Sequence, residues 1–125
     1  MRTIITTNSA PDPVGPYSQA IRANGLIFLA GQIALDPATG QIVDGDISEH
    51  TRRVLLNVTT LLEAAGSNLD KVVRCVVYLK DIRDFAVMNS IYSSHFAKSP
   101  PVRTTVEASN LPKESLIEIE VTALE

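Results

Sequence analysis

The segment VVRCVVYLK, residues 72–80, restricts the possible folds of this chain more than any other feature. Apolar side chains occupy both alternating sets of its positions, which is typical of a strand that is buried on both faces of a sheet. The segment LIFLAGQIAL, residues 26–35, has the same character. A sheet that contains both segments therefore needs cover on both of its faces.

Shorter apolar runs predict the remaining strands. Asn24-Gly25, which joins SQAIRA to LIFLAGQIAL, is a strong signal for a tight hairpin between two strands. The segments TNSAPDPVGP and DPATGQIVDGD are rich in proline and glycine or other turn residues, so we expect loops there. Three further strands are expected at residues 2–6 (RTIIT), 102–107 (VRTTVE) and 116–121 (LIEIEV).

Helical periodicity occurs twice in the chain. Asp46 followed by Glu49 matches a capping box, and Gly66 is expected to end the helix that begins there. A second helix is expected to begin near Asp81. The apolar stripes consist of Leu55, Val58, Leu62 and Ala65 in the first helix and of Phe85, Met88, Tyr92 and Phe96 in the second.

The order β-β-β-α-β-α-β-β predicts an α+β fold in a single domain, residues 1–125, with one mixed sheet of about six strands. Two helices can cover only one face of such a sheet. Because two of its strands are apolar on both faces, we expect a second subunit to cover the other face. The sequence thus predicts an obligate homo-oligomer.

Composition argues against several classes of function. The net charge is −3 and no Lys/Arg stripe is present, so we expect no nucleic-acid partner. No apolar run approaches the roughly 20 residues that span a bilayer, so we expect no membrane segment. The single cysteine, Cys75, has apolar neighbours and is expected to be a buried, inert thiol in a reducing compartment. With no signal-peptide pattern at the N-terminus, these features predict a cytoplasmic protein.

Motifs for metal or cofactor chemistry are also missing. His50 and His95 are far in sequence from other candidate ligands, so we expect no metal site. Neither a glycine-rich phosphate loop nor a nucleophile elbow is found, so we expect no cofactor of the usual nucleotide type.

Polar residues stand at unexpected positions in the last third of the chain. Asn89 lies on the apolar stripe of the second helix, where it serves either a structural hydrogen bond or a pocket. If the last two strands pair directly, the polar residues at alternate positions of each strand form one cross-strand cluster. That cluster is either a pocket for a small carboxylate or a solvent-exposed ladder of charges. The two sets are Arg103, Thr105 and Glu107 on one strand, and Glu118, Glu120 and Thr122 on the other.

Four segments together resemble the Rid family, also called the YjgF group. They are GPYSQAI (15–21), AGQIALDPATG (30–40), the helix that carries Phe85 and Asn89, and PVR…LPK…IEIE (101–120). The resemblance covers nearly the whole chain in one register. Within the family, the chain is most similar to the RidA branch, the 2-iminobutanoate/2-iminopropanoate deaminases.

This resemblance implies a homotrimer of a chorismate-mutase-like fold, with three sites in the clefts between subunits. It implies hydrolysis of reactive imines and enamines, released by pyridoxal-phosphate enzymes, to 2-oxo acids and ammonia without a cofactor. Arg103 matches the family arginine that binds the substrate carboxylate, and Glu118 matches the residue that positions the attacking water. The remaining positions that match pocket residues are Tyr17, Ala30, Gly31, Asn89 and Thr105.

The chain departs from the family pattern at two of these positions. Ala30 stands where serine is frequent and so removes a hydroxyl group, and Thr105 stands where cysteine is frequent. We expect a weaker or shifted substrate preference rather than inactivity. Other roles described for Rid-like proteins stay open at this point, namely a regulator that binds small carboxylates, a translation inhibitor or ribonuclease, and a holdase-like interaction protein.

Overall fold

The computed structural model describes all residues from 1 to 125. It contains eight strands and two α-helices, with three short 3₁₀ turns between them. In chain order they are β1 (Arg2–Ile5), β2 (Ala20–Ala23), β3 (Leu26–Leu29), β4 (Leu35–Asp36), β5 (Gln41–Ile42), α1 (Ile47–Ala64), β6 (Val72–Leu79), α2 (Phe85–His95), β7 (Val102–Glu107) and β8 (Ile117–Leu124). Neither helix has the length and hydropathy that a membrane-spanning helix needs.

Six of the strands form one sheet in the order β1-β2-β3-β8-β6-β7. Neighbouring strands are antiparallel except for β6 and β7, which are parallel. The predicted α+β fold, with a mixed six-stranded sheet and two helices on one face, is therefore confirmed. The strands β4 and β5 form a separate two-stranded hairpin within a stretch that was expected to be largely loop, and LIFLAGQIAL is a continuous strand only as far as Leu29.

Direct pairing of the last two strands, the condition for the single cross-strand cluster, does not occur, because β6 lies between β7 and β8. The chain leaves β6 through α2 and returns as β7 parallel to β6, which is the usual outcome of a strand-helix-strand crossover. The connection from residue 108 to residue 116 then carries the chain to the other side of β6, where β8 pairs antiparallel. A turn-rich connection between two strands is compatible with a hairpin, but turn residues alone do not determine whether the two strands lie next to each other in the sheet.

Helix α1 covers the sheet with the apolar stripe that the sequence predicts. Asp46 caps its first turn by accepting a hydrogen bond from the Ser48 amide at 2.9 Å. Glu49 does not complete a capping box and pairs instead with Arg52. The helix ends at Ala64, and Gly66 follows with φ +79°, a conformation that favours glycine. Buried α1 side chains pack on the buried β8 residues Ile117, Ile119, Val121 and Ala123.

No helix of the same chain covers the opposite face of the sheet. Ile4, Phe28, Val102 and Val106 expose apolar side chains there, and the strand register places Glu118 and Glu120 on the same face. We call this surface the open face. It is the face for which the sequence predicts cover by another subunit.

Candidate functional site

Arg103 lies on the helix-covered side of the sheet and is held by α2. In the strand register it pairs with the buried Cys75, so both side chains point towards the helices. Its Nη1 donates a hydrogen bond to Asn89 Oδ1 at 2.8 Å. Its Cζ lies 4.7 Å from the centre of the Tyr92 ring and 5.5 Å from that of Phe85, within the range of cation–π attraction. One polar and two aromatic contacts from α2 therefore fix the guanidinium group.

The Arg103 guanidinium group has no carboxylate partner within the chain. The three ion pairs of the protein involve Arg22, Arg52 and Arg83. Arg103 and Asn89 instead line a cleft of about 450 Å³ between α2 and the start of β7. Since a guanidinium group has five N–H donors and Asn89 accepts from only one of its nitrogens, the others are free to bind an anion.

Buried polar atoms accompany Arg103 on this side of the sheet. The hydroxyl groups of Thr105 and Tyr92 are buried and have no hydrogen-bond partner. Burial is also the main reason why the pKa of the Cys75 thiol is raised, and the neighbouring Tyr92 hydroxyl group and the positive charge of Arg103 oppose this shift. The predicted burial of Cys75 is therefore confirmed, and the direction of the pKa shift favours the protonated thiol at neutral pH.

Glu118 lies on the open face, where it pairs in register with Tyr78 of β6. Its carboxylate group packs directly over Gly31, since a β-carbon at that position would collide with Oε2 and lie 3.0 Å from Cδ. Burial raises the pKa of Glu118 first, and the negative charge of Glu120 raises it further. A carboxylate with a raised pKa is a better proton acceptor than an ordinary surface glutamate.

Tyr17 reaches the same region from the loop that precedes β2. It lines a small cavity together with Gly31 and a wider, open cleft together with Ala30. The loop is held by Gln19, which is only 3% exposed. The Gln19 side chain accepts a hydrogen bond from the Thr7 amide and donates to the carbonyl groups of Thr7 and Pro11.

The predicted site residues thus fall into two groups within one chain. The arginine half-site consists of Arg103, Asn89 and Thr105. The glutamate half-site consists of Glu118, Gly31, Ala30 and Tyr17. The expected single cluster of Arg103 with Glu118 is wrong for one chain, because the register places them on opposite faces of the sheet.

The other members of the expected cluster have separate places. Glu107 accepts a hydrogen bond from the Ile82 amide at 2.9 Å, which ties the end of β7 to the turn before α2. Glu120 and Thr122 stay on the open face with Glu118. Among His, Cys, Asp and Glu side chains, no three are grouped so that they could hold a metal ion.

Sequence reasoning missed two contributions to these half-sites. Tyr92 was interpreted as a core residue, yet its ring is the closer of the two aromatic supports of Arg103. Gln19 was part of a quoted motif but received no role, although it anchors the loop that carries Tyr17. For Gln19 a signal was present, because an amide side chain between a loop and an apolar strand must find hydrogen-bond partners.

Known proteins resemble this chain over its full length. The family model described as Endoribonuclease L-PSP matches residues 7–125. A RutC family protein of Pyrococcus horikoshii is 54% identical over 98% of both chains. The 2-iminobutanoate/2-iminopropanoate deaminase of Homo sapiens is 41% identical over 100% of this chain and 91% of its own length. The crystal structure of Escherichia coli TdcF with bound serine superposes with a TM-score of 0.93 at 34% identity, covering 98% of this chain and 99% of the other.

Proposed function

From the premise that this chain belongs to the endoribonuclease L-PSP family, which is the Rid family named above, we propose a function. The protein hydrolyses 2-imino acids to 2-oxo acids and ammonia. The observation that carries the proposal is the Arg103 guanidinium group, which Asn89 and two aromatic rings hold at a cleft without a carboxylate partner. Such a group is suited to clamp the carboxylate of a small acid.

The proposed active site lies between subunits of a homotrimer. Arg103 and Glu118 face opposite sides of the same sheet, so that one substrate cannot contact both within one chain. A head-to-tail ring brings the arginine half-site of one subunit to the glutamate half-site of its neighbour. Exposed apolar side chains on the open face, such as Phe28 and Val106, support burial of that face against other subunits.

Binding begins with the substrate carboxylate at Arg103. Two parallel N–H···O bonds fix both the position and the plane of the carboxylate, which a lysine ammonium group does not do. The imine carbon next to the carboxylate is then held at one distance from the glutamate half-site. Tyr17 and Ala30 line the space on that side and would contact the rest of the substrate.

Glu118 is the proposed proton acceptor. As the oxygen of a water molecule bonds to the imine carbon, one water proton passes to the Glu118 carboxylate. The electron pair of the C=N π bond moves to the nitrogen, which takes that proton back from Glu118 to give a carbinolamine. The second water proton then passes from the new hydroxyl group to the nitrogen by way of the same carboxylate, the C–N bond breaks, and ammonia leaves as the carbonyl group of the 2-oxo acid forms. An imine carbon is already electrophilic, so this sequence of steps needs no redox or electron-sink cofactor.

Comparison with related proteins supports a small amino-acid-like ligand. Escherichia coli TdcF has been crystallised with serine, which combines a carboxylate with a nitrogen on the neighbouring carbon, as an imino acid does. For this chain we propose imines of small aliphatic amino acids, including 2-iminobutanoate and 2-iminopropanoate. Ala30 offers no hydroxyl to the ligand, so a substrate that needs a hydrogen bond there would be turned over about tenfold more slowly.

A coupled assay tests the proposal. A threonine dehydratase generates 2-iminobutanoate in the presence of semicarbazide, which traps the imine, and formation of the semicarbazone is followed by absorbance. Wild-type protein is expected to suppress trapping, and Arg103→Ala is expected to lose that effect. The control is Arg52→Ala, which removes an exposed arginine of α1 away from both half-sites.

Two outcomes would overturn the proposal. If neither wild type nor variants suppress trapping, the chain is not a deaminase of these imines. If Arg103→Ala is as active as wild type, the arginine clamp is not part of the mechanism.

A Glu118→Gln variant that still binds a 2-oxo acid but does not turn over imine supports hydrolysis, whereas binding without turnover in wild type would indicate a regulator.

A further inference from the structure

The open face holds a second carboxylate beside Glu118 to which the proposed mechanism assigns no role. Glu118 and Glu120 are two residues apart on β8, so their side chains point to the same face. Tyr78 pairs with Glu118 across the strands, and its hydroxyl group donates a hydrogen bond diagonally to Glu120 Oε1 at 3.3 Å. Val76, which pairs with Glu120, is only 7% exposed, so this carboxylate sits partly on an apolar surface.

No cation neutralises either carboxylate within the chain. The ion pairs of the protein include neither Glu118 nor Glu120. The flanking cations are Arg74, which lies on β6 and pairs with Thr122, and Lys80, which follows β6 directly and donates to Asn110 Oδ1. The field of Glu120 at Glu118 is therefore not offset by a positive charge on the same strand or on β6.

Two charged side chains of other elements line the clefts beside Glu118: Asp12 in the small cavity with Tyr17, and Arg2 of β1 in the wider cleft. On the far side of β6, the open-face residues of β7 are Val102, Thr104 and Val106. On the side of β3, the nearest positions are Phe28, Ala30 and Gly31, and the neighbouring loop adds the phenol of Tyr17 as well as Asp12. In the proposed trimer, Arg103 of a neighbouring subunit would face this region, and bound substrate carboxylate would neutralise it.

We propose that Glu120, held in place by the Tyr78 hydroxyl group, is a positioning residue that keeps the Glu118 carboxylate ready to take a proton from the attacking water. The inference rests on the proposed function and assigns to that site a residue that does not touch substrate. Repulsion between two carboxylates makes proton uptake by Glu118 more favourable, as it does in paired carboxylates generally. The Tyr78 hydrogen bond holds the Glu120 carboxylate beside Glu118 and prevents it from turning away into solvent.

The first test measures the protonation of Glu118 directly and does not depend on turnover. The carboxyl carbons of ¹³C-labelled glutamate are titrated by NMR in the intact protein, and Glu118 is assigned from the signal missing in Glu118→Gln. Glu120→Gln is expected to lower the pKa of Glu118, because it removes a nearby like charge. Glu63→Gln, which removes an exposed charge from α1, is expected to leave it unchanged.

The second test uses the pH profile of imine hydrolysis. In Glu120→Gln the acid limb of kcat/KM is expected to move to lower pH by the same amount, while the plateau falls several-fold because a weaker base accepts the proton. Tyr78→Phe is expected to cause a smaller shift in the same direction, and no further shift in the Glu120→Gln background. That non-additivity shows that Tyr78 acts through Glu120.

The two proposals fail in distinguishable ways. An unchanged Glu118 titration in Glu120→Gln would overturn this inference even in a fully active enzyme. A shifted titration in a protein that does not hydrolyse imines would leave the electrostatic coupling intact and overturn the catalytic use assigned to it. Loss of activity in Glu120→Gln without movement of the acid limb would indicate a structural role, and would also overturn the inference.

Discussion

Arg103 and Glu118 lie on opposite faces of the same six-stranded sheet. Arg103 of β7 pairs with Cys75, whose neighbour across the next strand is the buried Val121, whereas Glu118 pairs with Tyr78 on the open face. Because side chains alternate between faces along a strand, no rotamer change within one chain brings the two groups to one substrate.

Complementation between two inactive variants follows from this arrangement. If sites form between neighbouring subunits, an Arg103→Ala subunit still offers an intact glutamate half-site, and a Glu118→Gln subunit still offers an intact Arg103. Mixing the two variants at equal amounts under conditions of subunit exchange is expected to restore about one quarter of wild-type activity, by random assortment around a ring. Imine hydrolysis in the mixture, compared with each variant alone, provides the measurement. No recovery after verified exchange would place both groups in one chain's site.

Removal of the Asn89 side-chain amide is expected to weaken substrate binding. Asn89→Ala deletes the only polar anchor of the Arg103 guanidinium group within the chain, and hydrogen bonds to charged groups contribute about 1.5–3 kcal/mol. We therefore expect KM to rise at least about tenfold, with a smaller change in kcat. The control is Ser94→Ala on the same helix, whose hydroxyl group bonds only locally. A fall in kcat at unchanged KM would contradict this assignment.

Glycine at position 31 is expected to be required for activity but not for folding. In Gly31→Ala the new β-carbon would collide with the Glu118 carboxylate and displace it from its position over the backbone. We expect kcat to fall by about 10²-fold, since displacement of a catalytic group by about 1 Å has effects of that size. Thermal unfolding is expected to change little, because the group that gives way is the end of a flexible side chain.

Gly40→Ala provides the matched comparison. Gly40 has open space around it but a φ of +72°, so alanine there is strained without touching either half-site. We expect a loss of about 1 kcal/mol in stability and full activity, the reverse of the pattern for Gly31→Ala. Equal losses of activity in both variants would show that a general loss of order, rather than displacement of Glu118, is responsible.

The reactivity of Cys75 is expected to be low and to depend on pH in a defined direction. Burial raises the pKa of the thiol above 9.0, so the folded protein holds the proton more tightly than the unfolded chain. The stabilising effect of the protonated thiol is complete below the pKa of an unfolded cysteine and is lost as pH rises through the higher folded value. At pH 8 we expect alkylation of the folded protein to be at least about 100-fold slower than of the denatured chain.

Rapid alkylation of the folded protein at pH 8 would contradict this expectation and would identify an opening motion that exposes the strand β6. Comparison of Tm values between pH 7 and pH 10 for wild type and Cys75→Ser provides a second measurement. Serine does not ionise in this range, so the wild type is expected to lose more stability than the variant as pH rises.

Local features of the sequence were predicted well because each has a local physical cause. The hairpin at Asn24-Gly25 is present, and both residues have positive φ, which a tight hairpin turn of this kind requires. The start and end of α1 at Asp46 and before Gly66 follow from capping chemistry. The buried stripe of α1 follows from helical periodicity, and the burial of Cys75 follows from its apolar neighbours.

The sequence by itself therefore determined the fold class and the limits of α1 and, through the family motifs, it suggested the residues of the proposed site. Only the tertiary structure decided that β6 separates β7 from β8, and hence that Arg103 and Glu118 face opposite sides of the sheet. The reason is that a helix or a turn depends on contacts within a few residues, whereas the order of strands in a sheet depends on hydrogen bonds between segments that are distant in sequence. The period of two shows which residues of a strand share a face, but the face itself is set only when the strand is placed in the sheet.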